Sequence, residues 1–171
     1  MATRTPTSPP ASPQTSPRTG PGATGASPDD LLRLDRQVCF ALAVAARNVI
    51  ALYRSVLEPL GLTHPQYLVM LALWERSPLT VREIGRLISL GPATLSPLLK
   101  RLASAGLVTR DRHPHDERAL AITLTERGRR LREQALDVPP QIVASLGMDI
   151  EELQALHGSL SRVIAATTTD S

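Results

Sequence analysis

From Asp29 onward, apolar residues recur every three or four positions. Leu34, Val38, Leu42, Ala45, Val49, Leu52 and Val56 fall on one helical face, predicting a long helix that ends near Glu58-Pro59. Thr63 ahead of Pro65 predicts an N-cap with proline in the first turn, and Tyr67 to Trp74 is apolar enough to be buried. Thr80-Val81-Arg82-Glu83 has the form of a capping box and opens a helix through Ile88. Gly91-Pro92 begins another, which runs to Gly106 in the place of a C′ glycine. Pro97 lies inside this second helix, where it removes one backbone hydrogen bond and should kink or tighten the first turns.

The period then changes to two. Leu107 to Arg112 and Ala119 to Leu124 are strand-like, and His113-Pro114-His115-Asp116-Glu117-Arg118 between them predicts a hairpin with an exposed charged tip. Thr125 is expected to cap a helix through about Val138, with Pro139-Pro140 interrupting it, and Asp149 with Glu152 to cap a last helix ending near Ala166. Residues 1–28 have no such pattern. They hold seven prolines, three glycines and ten Ser/Thr, with no aliphatic residue larger than alanine after Met1, and read as a disordered tail. The Ser-Pro and Thr-Pro steps there follow from that composition.

At 171 residues, 42% hydrophobic and 20% charged, the chain can bury one core plus an appendage but not a second full domain. No eighteen apolar residues run without a charge or breaker, and the N-terminus lacks a signal-peptide stretch, so a cytoplasmic protein without a membrane span is expected. The single cysteine, Cys39, excludes an intramolecular disulfide and a structural zinc site. A net charge of +3 is too small to point to nucleic acid until it is sorted along the chain. Residues 1–28 carry +2, 29–79 balance five basic against five acidic residues, 80–118 carry seven against four, and 119–171 five against seven. The folded positive charge is concentrated where the two short helices and the hairpin lie.

Helix, turn, helix and charged hairpin in that order predict a mainly α fold with a small β-hairpin wing, a winged helix-turn-helix spanning residues 80–124. Its second helix enters the major groove of double-stranded DNA and presents Thr94, Ser96, Lys100 and Arg101. The wing adds Arg110, Arg112 and Arg118, with Asp116 placed to direct Arg118 toward a narrow minor groove.

These residues carry a resemblance. From Leu34 to about Ile164 the chain resembles the MarR family of dimeric winged-helix repressors, with Thr109-Arg110-x-Arg112 and Asp116-Glu117-Arg118 matching the family's wing signature. Gln37-Val38-Cys39-Phe40, Pro65-Gln66-Tyr67-Leu68, Leu73-Trp74-Glu75 and the run from Thr94 to Leu102 resemble, more narrowly, the one-cysteine organic hydroperoxide resistance regulators. The resemblance implies a homodimer joined by helices in 29–60 and 125–167 of a 29–171 domain, an operator as partner, no cofactor and no enzyme activity. It implies an organic hydroperoxide as inducer and a low-molecular-weight thiol that caps oxidised Cys39. It also implies that a tyrosine at the place of Tyr53 donates a hydrogen bond to the reactive sulfur from the other subunit, with His64 and Tyr67 as further candidates. Helical geometry agrees: Tyr53 shares a face with Cys39 yet stands about 21 Å further along the axis, beyond reach within one subunit. Ala43 replaces a second tyrosine of many relatives, and His64 replaces another.

Three other readings stand beside this one. On its own, a mid-helix cysteine is a small core residue, which leaves a MarR-type repressor released by a small aromatic or phenolic ligand. A structural DNA-binding protein without effector predicts binding that ignores both kinds of inducer. A nucleophilic enzyme would need His64, His113, His115 or His157 as base and an oxyanion site that no loop supplies, and His113-x-His115 is at most half a metal site.

Overall fold

The computed structural model describes residues 32–113 and 116–167, and the side chains of 112–119 lie outside that description. The expected tail, 1–28, lies outside it too. The chain divides into two units, Met1–Leu42 and Ala43–Ser171. In the first, a 3-10 turn at Leu34–Arg36 carries an Arg33–Asp35 ion pair at 2.9 Å, and Gln37 is extended before helix α1 (Val38–Leu57) begins. The apolar spacing that starts at Leu34 therefore overstates the helix, because the extended Gln37 breaks it one turn later.

In the second unit, a 3-10 turn at Glu58–Leu60 ends on Gly61 with φ +66 and leads into α2 (His64–Glu75). Strand β1 (Leu79–Thr80), α3 (Val81–Leu87), α4 (Pro92–Ser104), β2 (Val108–His113) and β3 (Asp116–Leu124) follow, then α5 (Glu126–Ala135), α6 (Val138–Leu146) and α7 (Ile150–Thr167). β2 has the expected length but is shifted one residue toward the tip, and β3 begins three residues earlier than the apolar alternation predicts. The sheet is antiparallel in the order β1-β3-β2, with Leu79 opposite Ile122 and Val108 opposite Leu124. A register shift at Arg112/His113 precedes the tip, where His113 pairs with Asp116. Sequence reading found the hairpin and missed β1, since two residues between a proline and a helix cap carry no period of their own.

Local chemistry explains most boundaries. The Thr80 hydroxyl accepts from the Glu83 N–H at 3.2 Å while Glu83 accepts from the Thr80 N–H at 2.8 Å, a reciprocal box at the start of α3. α4 ends in a Schellman motif: Gly106, φ +69, donates to Ala103 O and Leu107 donates to Leu102 O. α4 runs unbroken across Pro97. Asp149 and Glu152 cap α7 reciprocally at 2.8 and 3.0 Å. One expectation fails: Pro139 and Pro140 do not interrupt a long helix but stand in the first turn of α6, after α5 has ended at Ala135. Proline costs nothing there, because the first N–H groups of a helix have no intrahelical acceptor.

The core gathers Tyr67, Met70 and Leu73 of α2, Ile84 of α3, Leu95, Leu99 and Leu102 of α4, and Leu79, Val108 and Ile122 of the sheet. The long helices stay largely outside it. In α1 only Leu57 is buried and in α7 no residue is, although Ile50, Leu156, Val163 and Ile164 are large and apolar. Val38–Leu60 is long and apolar enough to cross a membrane on length and composition alone. The exposed guanidinium groups of Arg47 and Arg54 interrupt that stretch.

Candidate DNA interface and thiol site

The amphipathic pattern of α4 decides what it offers. Leu95, Leu98, Leu99 and Leu102 face the core, so Thr94, Ser96, Lys100 and Arg101 are all exposed. The first three turns of the helix thus carry two hydroxyls and two cations on its outer side. Among the described residues neither cation, nor the exposed Arg110 on β2, has an ion-pair partner. Arg112 stands opposite Leu120 in the β2–β3 register and Asp116 opposite His113. The side chains of Arg112, Asp116 and Arg118, and residue His115, lie outside the described part. Sequence reading left two further cations unassigned: exposed Arg82 and Arg86 line a groove between α3 and α4 with Ser89 and Pro92. Ser89 adopts φ 53 in the tight turn, and the Leu90 N–H bonds back to Gly85 O at 2.9 Å.

The wing is anchored at its root. Thr125 donates its hydroxyl proton to Gly106 O at 2.7 Å and accepts from the Gly128 N–H at 3.0 Å, and Arg129 donates to Leu124 O at 2.9 Å. From α2, the Trp74 indole N–H reaches Gly128 O at 2.8 Å.

The three residues expected around a sensor thiol come together. The Tyr53 ring lies 4.7 Å from His64 and 6.0 Å from Tyr67, centroid to centroid. Tyr53 and His64 are half-buried and Tyr67 is buried. Burial pushes the His64 pKa down and the Tyr53 pKa up, and Tyr67 is raised by burial and by Tyr53 beside it. All three stay uncharged at neutral pH, a polar but neutral cluster. Gln66, buried in the same helix, was seen in the sequence only as part of a motif. Its Oε1 accepts from both the N–H and the hydroxyl of Thr63, each at 2.9 Å, and so holds the turn that positions His64. Cys39, in the other unit, is exposed.

Comparison with known proteins places this arrangement. The description "MarR family" matches residues 62–120. The organic hydroperoxide resistance transcriptional regulator of Bacillus subtilis (strain 168) is 40% identical over 131 residues, covering 77% of this chain and 89% of that one. The chain belongs to the MarR family. A second relative, the regulator TtmR of Methylorubrum extorquens (strain PA1), is 44% identical over 133 residues, 78% of this chain and 68% of its own. Reduced AbfR bound to DNA superposes with TM-score 0.66 at 36% identity, covering 81% of this chain and 96% of that one. The winged helix and the three-stranded sheet are those of MarR-family transcriptional regulators, and the relatives are regulators rather than enzymes.

Proposed function

We propose that this chain is a homodimeric DNA-binding repressor that senses organic hydroperoxides by oxidation of Cys39 and then releases its operator. The observation that carries the reading is the Tyr53–His64–Tyr67 cluster, in a chain with one exposed thiol and 40% identity to a hydroperoxide resistance regulator. The exposed apolar residues of α1 and α7 support a second copy as the covering surface, and Tyr53 of one copy would then serve Cys39 of the other. On DNA, Thr94 and Ser96 meet base edges, Lys100, Arg101 and Arg110 meet phosphates, and Arg112 and Arg118, with Asp116 directing the latter, belong to the wing.

The Cys39 thiolate attacks the terminal peroxide oxygen, the O–O bond breaks, and the alkoxide leaves and takes up a proton as the alcohol. The sulfur becomes a sulfenic acid. A low-molecular-weight thiol then displaces its hydroxyl as water and leaves a mixed disulfide, which thiol exchange reverses. Either product is bulkier and more polar than a thiol, so it displaces the tyrosine and alters the spacing of two recognition helices that must fit grooves roughly 34 Å apart.

Fluorescence anisotropy on a duplex from the protein's own promoter, at fixed salt, tests this reading. Cumene hydroperoxide should release wild type and not Cys39→Ser; tight binding by both with no response refutes the sensor. One observation favours a second reading. A cavity of about 580 Å³ beside His64 is lined by apolar Ile50, Ala51 and Pro65 together with Arg47, Arg54 and Glu58, and its two cations against one carboxylate suit a small aromatic acid. Release of Cys39→Ser by such an acid would support that reading.

A further inference from the structure

We propose that Trp74 is a positioning residue that couples the sensor end of α2 to the root of the wing, with the Trp74–Gly128 hydrogen bond as the joint. The inference rests on the sensor reading above for what moves α2, and on geometry alone for what α2 holds.

α2 is a rod with chemistry at both ends. At its start, His64 and Tyr67 pack against Tyr53; toward its end the Tyr67 ring meets Trp74 at 6.2 Å. Three of the chain's four Phe, Trp and Tyr residues thus form one row, with Tyr53 of α1 at its head and Tyr67 and Trp74 on α2, which rises about 15 Å from His64 to Trp74. The Trp74 indole N–H then crosses 54 positions of sequence to Gly128 O at 2.8 Å. Gly128 is pressed onto the Leu107 carbonyl, where a Cβ would have no room. Leu107 directly precedes β2, and the side chain of Leu124, the last residue of β3, would crowd the same Cβ at 3.2 Å. A second tether leaves the same end of α2: the Leu124 N–H donates to Ser77 Oγ at 3.1 Å. Both wing strands are therefore moored to the C-terminal end of α2.

A ring that only filled space would need no donor, and a phenylalanine would serve. The indole N–H adds a direction, because the bond persists only while α2 and the first turn of α5 keep one relative placement. Displacing Tyr53 and His64 turns the rod at its far end. The wing root then loses its mooring, and only the fraction of molecules with the wing in place binds DNA fully.

The test uses full-length Trp74→Phe and Ser77→Ala with the operator duplex across a salt series. Reduced Trp74→Phe should bind about 3- to 10-fold more weakly, as loss of one half-buried hydrogen bond implies. Its log–log salt slope should fall by about one contact, and the ratio of reduced to oxidised affinity should shrink. Ser77→Ala should move all three quantities in the same direction, and keeps the test open should Trp74→Phe misfold. Trp74 is the sole tryptophan, so wild-type emission should shift to the red on peroxide treatment and that of Cys39→Ser should not. The proposal is overturned if the folded variants bind with wild-type affinity and slope and release by the wild-type factor. If wild type itself fails to release, the sensor reading falls, and the reduced-state affinities and salt slopes still decide whether Trp74 positions the wing.

Discussion

Replacing Gly128 with alanine sets two opposed effects against each other at one atom. In its favour, alanine exceeds glycine in helix propensity by at most about 1 kcal/mol, and burying a methyl group adds about 0.8 kcal/mol. Against it, the new Cβ would overlap the Leu107 carbonyl oxygen and stand 3.1 Å from Leu107 C and 3.2 Å from Leu124 Cδ2. The obstacle is backbone at the start of the wing, which cannot swing aside as a side chain would, so α5 must move instead. Overpacking of this kind costs about 1–3 kcal/mol, and the shift also stretches two bonds of Gly128, to Trp74 and to Thr125, worth about 1 kcal/mol each. The balance is a net destabilisation of about 1–3 kcal/mol, a large part of a stability of about 5–15 kcal/mol. Urea unfolding followed by Trp74 emission, at several protein concentrations, measures it directly. An alanine variant that unfolds at or above the wild-type midpoint with the same slope would show that the contact at Leu107 is not rigid. Gly85→Ala should cost less, because its Cβ would meet only Leu90 O at 2.8 Å and Leu95 Cδ2 at 3.7 Å.

Further outcomes follow from the same contacts. Burial lowers the His64 pKa, so the unfolded chain takes up this proton more readily than the folded one. Stability should fall as pH drops below about 6.5 and level off once His64 is protonated in the fold as well. His64→Asn should flatten that part of a plot of urea midpoint against pH. Thr80→Ala removes the acceptor for the Glu83 N–H and should lower stability by about 1 kcal/mol in the same unfolding assay. Lys100→Ala and Arg110→Ala should each reduce the log–log salt slope of operator binding by about 0.9 and weaken binding alike across duplex sequences. An effect limited to one base pair would count against a phosphate contact.

How far the fold could be read in the chain follows from the range of each interaction. The capping boxes at Thr80/Glu83 and Asp149/Glu152, the Thr125 cap, the Gly106 stop and the outward face of α4 were all legible, because each depends on residues within about one turn of one another. The charge excess of 80–118 could be counted without a fold, and it falls on α3, α4 and the hairpin. The start of α1 and the role of Pro139-Pro140 were misread although both are local. Periodicity does not register one extended residue, and a proline pair begins a helix as readily as it ends one. The sequence by itself therefore determined the order of elements, their caps and which helix face is polar. Only the tertiary structure decided that Leu79–Thr80 joins the sheet through Ile122, that Tyr53 reaches His64 and Tyr67, and that Trp74 finds Gly128. Those partners are chosen by packing between distant segments, where a glycine's missing Cβ or an indole's single N–H has meaning only after the neighbouring backbone has arrived.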